Sequence, residues 1–112
     1  MTGAGPLNEL VAFDSPTEQA DAQGGVATTW GESYRCAAHF MYLRGGETVQ
    51  ARRLEGRQPV VVTIRQSALA RTITSNWRMR DLRRGHVYNI RSIVPSDDRR
   101  WFELTCEKGV AV

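Results

Sequence analysis

The most regular hydrophobic pattern in the chain runs from Pro59 to Arg65. Val60, Val62 and Ile64 fall on one face of an extended backbone, and the residues between them fall on the other. β-Branched residues suit a pleated, partly buried surface, and a proline is tolerated as the first residue of a strand because it need not donate to the ladder. The pattern predicts a central strand that is at least half-buried.

Weaker alternation of apolar and polar residues predicts further strands elsewhere in the chain. These strands cover residues 7–13, 26–30, 34–43, 77–80, 87–94 and 101–106. Ser15-Pro16 is expected to end the first strand, because proline restricts the residue before it and has no N–H to donate. An acidic, polar loop and a tight turn at Gly24-Gly25 should follow. Residues 31–33 are expected to form a break or a bulge.

Side-chain direction can be predicted for the last two strands because successive residues point to opposite faces. Tyr88, Ile90 and Val94 are expected to share one face of the strand 87–94. Phe102 and Leu104 are expected to point the same way from the final strand. These faces should contribute to the core.

The segment that precedes Pro59 has helical rather than strand periodicity. Glu47, Ala51 and Leu54 share one face of a helix of about two turns, and Gly56 can end it. An acidic residue lies near its start and arginines near its end, as the helix dipole favours. Such a short helix is marginal alone. It must dock on the rest of the fold through Ala51 and Leu54, or form a mobile excursion.

These elements together predict an all-β protein, a small β-barrel or sandwich of about six strands with one short helix inserted in a long loop. We expect a flexible N-terminus over residues 1–6, a single domain over residues 7–108 and a C-terminal tail over residues 109–112. No membrane span or secretory signal is expected. Cys36 and Cys106 lack metal-ligand spacing and are expected to be small buried residues in a reducing cytoplasm.

Charge is distributed unevenly along the chain. Residues 1–34 hold five acidic and no basic residues, a net charge of −5, whereas residues 35–112 hold 15 basic and seven acidic residues, a net charge of +8. Fourteen of the basic residues are arginine. One interpretation is a surface that faces phosphate or an acidic partner. The other is a G+C-rich genome with solvated arginines, which leaves the acidic N-terminal third unexplained.

No catalytic or metal-binding motif is present. His39 has no ligand-type neighbour at suitable spacing, so we expect a partly buried or interfacial histidine. Asp97-Asp98 lies in a predicted loop beside two arginines and is expected to be a solvated pair rather than an acid–base pair. The sequence therefore predicts no enzyme, no cofactor and no metal.

Short motifs spread over almost the whole chain resemble the head–tail joining, or head-closure, family of tailed bacteriophages. The resemblance covers roughly residues 7–107, and its order and spacing carry it, since each motif alone is weak. One departure is Arg44-Gly45-Gly46, where a more polar lead-in to the helix is expected. The matching motifs are Asp21-x-x-Gly24-Gly25, Trp30, Gly46-Glu47 with Ala51, Val62-x-Ile64-Arg65, Ile73-Thr74, Met79-Arg80, Gly85-x-x-Tyr88-x-Ile90, Asp97-Asp98 and Phe102-x-Leu104.

This resemblance implies a structural virion protein of the neck, assembled in the bacterial cytoplasm. Six or twelve copies would form a ring below the portal and its adaptor and above a tail terminator or tail tube protein. The ring would close the channel of the DNA-filled head and dock the tail, while double-stranded DNA passes without sequence recognition. The arginine-rich composition would also suit a gene transfer agent.

Two groups of residues are candidates for this role. The segment 44–57 is expected either to reach into the DNA channel as a gate or to contact the neighbouring subunit. Its candidate residues are Arg44, Gly45, Gly46, Arg52, Arg53 and Arg57. The candidates for contacts between subunits or between rings are Glu9, Asp14, Glu18, Asp21, Trp30, Arg78, Arg80, Arg83 and Arg84.

Three alternatives remain open from the sequence. A tail-completion or connector protein on the tail side of the neck would have a similar fold. A small β-barrel that binds single-stranded nucleic acid would need aromatic residues interleaved with arginine on one exposed face. A small enzyme is disfavoured by the missing motifs.

Overall fold

The computed structural model describes residues 6–20 and 22–108, which form a closed antiparallel β-barrel. Around the barrel the strands follow the order β1-β2-β3-β6-β5-β4. The all-β prediction with one short helix is confirmed. The strands are β1 (Glu9–Ala20), β2 (Val26–Tyr42), β3 (Gln58–Arg65), β4 (Arg78–Asp81), β5 (His86–Pro95) and β6 (Trp101–Lys108), with the helix α1 (Glu47–Leu54) between β2 and β3 and a 3-10 turn at Ala70–Thr72.

The strand β3 has the role that its pattern predicts. It pairs with β2 on one side and with β6 on the other. Val60, Val62 and Ile64 are fully buried, because their shared face points into the barrel. Around them the other strands contribute Val11, Phe13, Phe40, Met79, Tyr88, Ile90, Leu104 and Cys106. Of the two cysteines, which are both free, Cys106 is buried and Cys36 half-buried.

The prediction that Ser15-Pro16 ends the first strand is wrong. β1 continues to Ala20, and Pro16 pairs with Trp30 of β2. The pairing of β1 with β4 stops at Asp14, so Pro16 has a free edge on that side and its missing N–H costs no ladder bond there. The expected bulge within residues 31–33 is confirmed, because Ser33 is the unpaired extra residue where the β1–β2 register shifts.

The expected inward position of Val94 is also wrong. The β5–β6 register shifts between Ile90 and Ser92, which leaves Arg91 as an extra residue. Such a bulge reverses the alternation beyond it. Ile93 therefore packs against the core, while Val94 is 53% exposed.

The two ends of the barrel differ in the segments that they carry. One end, which we call the helix end, holds α1, the start of β1 and the turn between β4 and β5. The other, the arm end, holds the loop 66–77 and the turn 96–100. The predicted flexible segment 1–6 and tail 109–112 lie outside the described residues, apart from Pro6, whose carbonyl oxygen is 3.2 Å from Nδ1 of His39.

Candidate functional site

A two-stranded extension of β1 and β2 projects beyond the barrel. We call it the arm and define it as residues 15–20 paired with residues 26–31. Neither strand of the arm has a second neighbour, since β1 pairs with β4 only up to Asp14 and β2 pairs with β3 only from His39 onwards. Six residues per strand give a reach of about 20 Å. Most of its side chains are exposed, and Val26 near its tip is 67% exposed.

Charged side chains lock the base of the arm to the barrel. Asp14 is 2% exposed and accepts hydrogen bonds from Nε of Arg78 at 2.7 Å and from Nε of Arg80 at 2.8 Å. A second nitrogen of Arg80 donates to Glu32 at 2.7 Å, and the Arg78 guanidinium lies 4.7 Å above the ring of Trp30. We call these five residues the root cluster. The two guanidinium groups donate to the two carboxylates, and these contacts fix the direction in which the arm points.

Electrostatics favour the charged state of the root cluster. Burial raises the pKa of Asp14, but the hydrogen bonds and charges of Arg80 and Arg78 outweigh it and leave that pKa below its ordinary value. Hydrogen bonds from Arg35 and Arg80 likewise lower the pKa of Glu32. The carboxylates of Asp14 and Glu32 are therefore ionised at neutral pH.

A second charged cluster lies at the helix end. Arg84 donates to both oxygens of Glu9 at 3.0 and 3.1 Å and to Oδ2 of Asp81 at 2.9 Å. The backbone N–H groups of Arg83 and Arg84 donate to the other oxygen of Asp81, which is fully buried. Burial raises the pKa of Asp81, but these donors outweigh it and lower the pKa overall.

The structure thus brings together six of the nine predicted interface residues, within one subunit. Asp14, Trp30, Arg78 and Arg80 belong to the root cluster, and Glu9 and Arg84 to the second cluster. Acidic residues of the N-terminal third contact arginines of the basic remainder within the same subunit. Glu18 and the side chain of Arg83 are exposed, and Asp21 lies outside the described residues. Their role between subunits stays a prediction.

The segment 44–57 leaves the barrel between two glycines with positive φ, Gly46 at 87° and Gly56 at 82°. Gly45 carries no such value. Glycine adopts this conformation without steric cost, so both ends of α1 turn sharply. The expected docking face is wrong, because Ala51 is exposed and Leu54 is 88% exposed, and α1 has no buried residue. Val49, rather than Ala51 or Leu54, is the half-buried apolar residue of α1, and polar contacts also hold the helix.

Glu107 supplies the main anchor of α1. Its carboxylate accepts from Arg52 at 2.8 and 3.0 Å, and a nitrogen of Arg57 lies 3.9 Å from it. The Glu107 side chain is 4% exposed, so this contact is well shielded from water. Arg44 and Arg53 are exposed and form no ion pair within the described residues. The sequence interpretation missed Glu107, although an acidic residue on the last strand was a possible partner for an arginine-rich segment.

The arm end carries exposed apolar and basic side chains that the sequence interpretation also missed. Leu69 is 58% exposed and Val94 is 53% exposed. Arg71, Arg99 and Arg100 are exposed on the loop 66–77 and the turn 96–100 of the same end and form no salt bridge within residues 6–20 and 22–108. We call these five residues the arm-end patch. The bulge at Arg91, which places Val94 outside, could not be read from the alternation.

Comparison with known proteins identifies the family. The model of the phage head completion protein family matches residues 3–109 of the 112. The chain belongs to the phage head completion protein family. No curated protein matches the chain significantly.

Two solved structures share the fold of this head completion protein. The solution structure of protein SF1141 from Shigella flexneri 2a is 19% identical, with a TM-score of 0.71, and the match covers 96% of this chain and 97% of that one. A chain in the virion of a native gene transfer agent particle is 18% identical, with a TM-score of 0.65, covering 93% and 96%. At these identities the likeness establishes the fold.

Family membership confirms the expected resemblance to phage neck proteins and makes the chain a structural component of a virion head or neck. The family is a structural one rather than a family of enzymes. Among the described residues no helix is long and apolar enough to cross a membrane. In the same part of the chain, no group of three or more His, Cys, Asp or Glu side chains is placed to hold a metal ion.

Proposed function

We propose that this head completion protein forms a ring of six or twelve copies in the neck of a phage or gene transfer agent particle. The ring lies between the portal with its adaptor and the tail terminator or tail tube protein. It closes the DNA channel of the filled head and offers the tail a docking surface. The observation that carries this proposal is the match of the family over residues 3–109, together with a barrel whose two ends offer different contacts.

A ring requires each subunit to present different surfaces to its two neighbours. The barrel offers different surfaces of this kind at its arm end, where the projecting arm is one surface and the loops 66–77 and 96–100 are another. The sides of the barrel have no unpaired edge, since the sheet closes on itself. Contacts with neighbouring proteins therefore fall to the arm, the loops and α1.

The segment 44–57 is the candidate for contact with DNA. Arg52 holds the segment through Glu107, whereas Arg44 and Arg53 are exposed without ion pairs among the described residues. Repeated around a ring, these free guanidinium groups provide positive charge that attracts phosphate without reading bases. A gate that swings must break the contact of Arg52 with Glu107 each time. The alternative is that α1 stays docked and its arginines touch the next subunit.

Substitution of the two kinds of arginine separates these possibilities. Particles carrying Arg44→Ser with Arg53→Ser remove the free charge and leave the anchor intact, while Arg52→Ser removes the anchor. If α1 closes the channel, the double variant assembles tailed particles that leak DNA, measured as nuclease-sensitive DNA per particle. Failure of the head–tail junction in the double variant favours the subunit contact. Normal particles with normal DNA retention would refute both roles.

One alternative loses support from the geometry. A single-stranded nucleic-acid barrel needs open aromatic faces on which bases stack. The Arg78 guanidinium covers Trp30 at 4.7 Å, and the Arg65 guanidinium covers Trp101 at 5.0 Å. Both rings are also half-buried. A tail-side connector with the same fold stays the second candidate, and the location of the ring in the neck decides it.

A further inference from the structure

We infer that the arm of one subunit docks on the arm-end patch of a second copy of this chain. This inference rests on the proposed ring and states how its neighbouring subunits are joined. It starts from the single chain, in which the base of the arm is held rigidly but most side chains of the arm are exposed to solvent. The root cluster fixes its base through a buried Asp14, while residues 17–20 and 26–29 are all exposed.

An isolated two-stranded hairpin is marginally stable in water, and its free edges invite further contacts. The buried, ion-paired charge cluster at the root fixes the direction in which the hairpin points. This indicates that the direction of the hairpin matters. Beyond its root, neither strand of the arm pairs with a third strand among the described residues. A partner in the assembly therefore has to cover it.

The arm and the patch complement each other in both apolar surface and charge. Near its tip the arm presents Val26, which is 67% exposed, and on the same face Glu18, opposite Thr28. The patch presents two exposed apolar side chains, Leu69 and Val94, and three exposed arginines at the same end of the barrel. Of the large hydrophobic side chains exposed on the described surface, these three lie toward the arm end and the others toward the helix end.

The charges at the arm end favour an acidic partner. Asp97 and Asp98 offset part of the positive charge, and Asp98 is already occupied by the Ser96 hydroxyl and the N–H of Arg100. The side chains of Arg71, Arg99 and Arg100 form no salt bridge in the described chain, although the charge of Arg100 acts on Asp98. Glu18 of a neighbouring arm supplies a carboxylate without disturbing the root cluster of its own subunit.

The position of both surfaces selects a ring over a filament. The arm and the arm-end patch belong to the same end of the barrel, so copies related by rotation about an axis along the barrel carry both surfaces on the same side of the ring. A contact between opposite ends would stack copies into an open fibre instead. One face of the arm covers only roughly 200 Å², well below the approximately 800 Å² per partner of a standard interface. This contact alone is weak, so the ring needs a neighbouring protein as a template.

Photo-crosslinking in assembled particles tests this contact directly. The photoreactive residue p-benzoylphenylalanine replaces Val26 near the arm tip or, as the matched control, Met41, which is 53% exposed on the same strand near the helix end. From Val26 we expect a product with twice the mass of the chain, in which the partner peptide contains Leu69 or Val94. From Met41 we expect no product with those peptides.

Three results would overturn the inference. They are a Val26 product with a different virion protein, no Val26 product in particles that contain the ring, and the same peptides captured from Met41. If the chain occurs in several copies in the neck, these results leave the proposed ring intact and reject only the arm contact. A chain that is absent from the neck, or present there as a single copy, would overturn both.

Two ordinary substitutions test the same contact without the bulky photoreactive residue. Val26→Arg places a cation opposite the arginines of the arm-end patch, Leu69→Asp places a carboxylate opposite the acidic arm, and both positions are exposed in the single chain. The purified variants should unfold at the temperature of the unmodified chain, while each should strongly reduce the fraction of particles that carry tails. Normal tailed particles from both variants would contradict the inference.

Discussion

The root cluster makes a prediction whose size follows from its geometry. Asp14→Asn keeps the side-chain shape but removes the charge that faces Arg78 and Arg80. Breaking a fully buried ion pair by removing one partner costs about 3–5 kcal/mol, and a hydrogen bond to a charged group contributes about 1.5–3 kcal/mol. The Arg78 and Arg80 side chains are 24% and 31% exposed, and Arg80 keeps Glu32, so water and that carboxylate compensate in part. We expect a loss of about 2 kcal/mol in the free energy of unfolding, or about 8 °C in Tm for a domain of this size.

Thermal and urea unfolding of the purified chain measure this loss, with Asp97→Asn as the control. Asp97 is an exposed loop carboxylate, so its substitution should change stability by less than about 0.5 kcal/mol. Because the folded pKa of Asp14 lies below its ordinary value of 3.8, its contribution is complete above that pH and is lost as the pH falls through the lower folded pKa. The difference between the chain and Asp14→Asn should therefore be constant from pH 5 to 7 and shrink in stronger acid. Equal stability at pH 7, or a difference that grows on acidification, would refute the account of the root cluster.

Three further predictions concern the helix, the cysteines and the isolated chain. Arg52→Ser should increase amide hydrogen exchange across α1, because it removes the anchor to Glu107, whereas Arg53→Ser should leave exchange unchanged; equal effects would contradict the anchor. Burial raises the pKa of Cys106 to about 12 and that of Cys36 to about 11. Thiol reagents at pH 8 should therefore modify Cys36 slowly and Cys106 only on unfolding. Rapid labelling of Cys106 in the folded chain would contradict its buried position. The purified chain should sediment as a monomer or a weak oligomer, and a stable closed ring at low concentration would contradict the need for a template.

Local patterns in the sequence were sufficient to predict much of the barrel. The alternation in β3 predicted a central strand that is at least half-buried, and the change of period at Glu47 predicted α1 with its observed bounds. These features depend on residues close together in the chain. The turn at Gly24, where φ is 84°, is of the same kind.

Features that depend on the number of neighbours of a strand were harder to predict. Pro16 is compatible with a strand here only because β1 has a free edge beyond Asp14, which is a property of the barrel rather than of the sequence nearby. The bulge at Arg91 likewise arises from the pairing of β5 with β6 and reverses the expected direction of Val94. Neither effect can be read from one strand alone.

The candidate site was predicted only in part, because its contacts join residues that lie far apart in the sequence. The split of charge along the chain made Asp14 and Arg78 candidates for contacts between subunits, and the structure pairs them within one subunit, 64 positions apart. The pattern gave no way to tell an intramolecular contact from one between subunits. The role of Glu107 was not predicted, because its partner Arg52 lies 55 residues away and on a different element.

An image of the neck in the assembled particle, at a resolution that traces the chain, tests the central claim most directly. The account predicts a closed ring of six or twelve copies between the portal with its adaptor and the tail, with the segment 44–57 of every copy facing the channel or the next subunit. Finding this chain outside the neck, or in the neck without a closed ring, would contradict it.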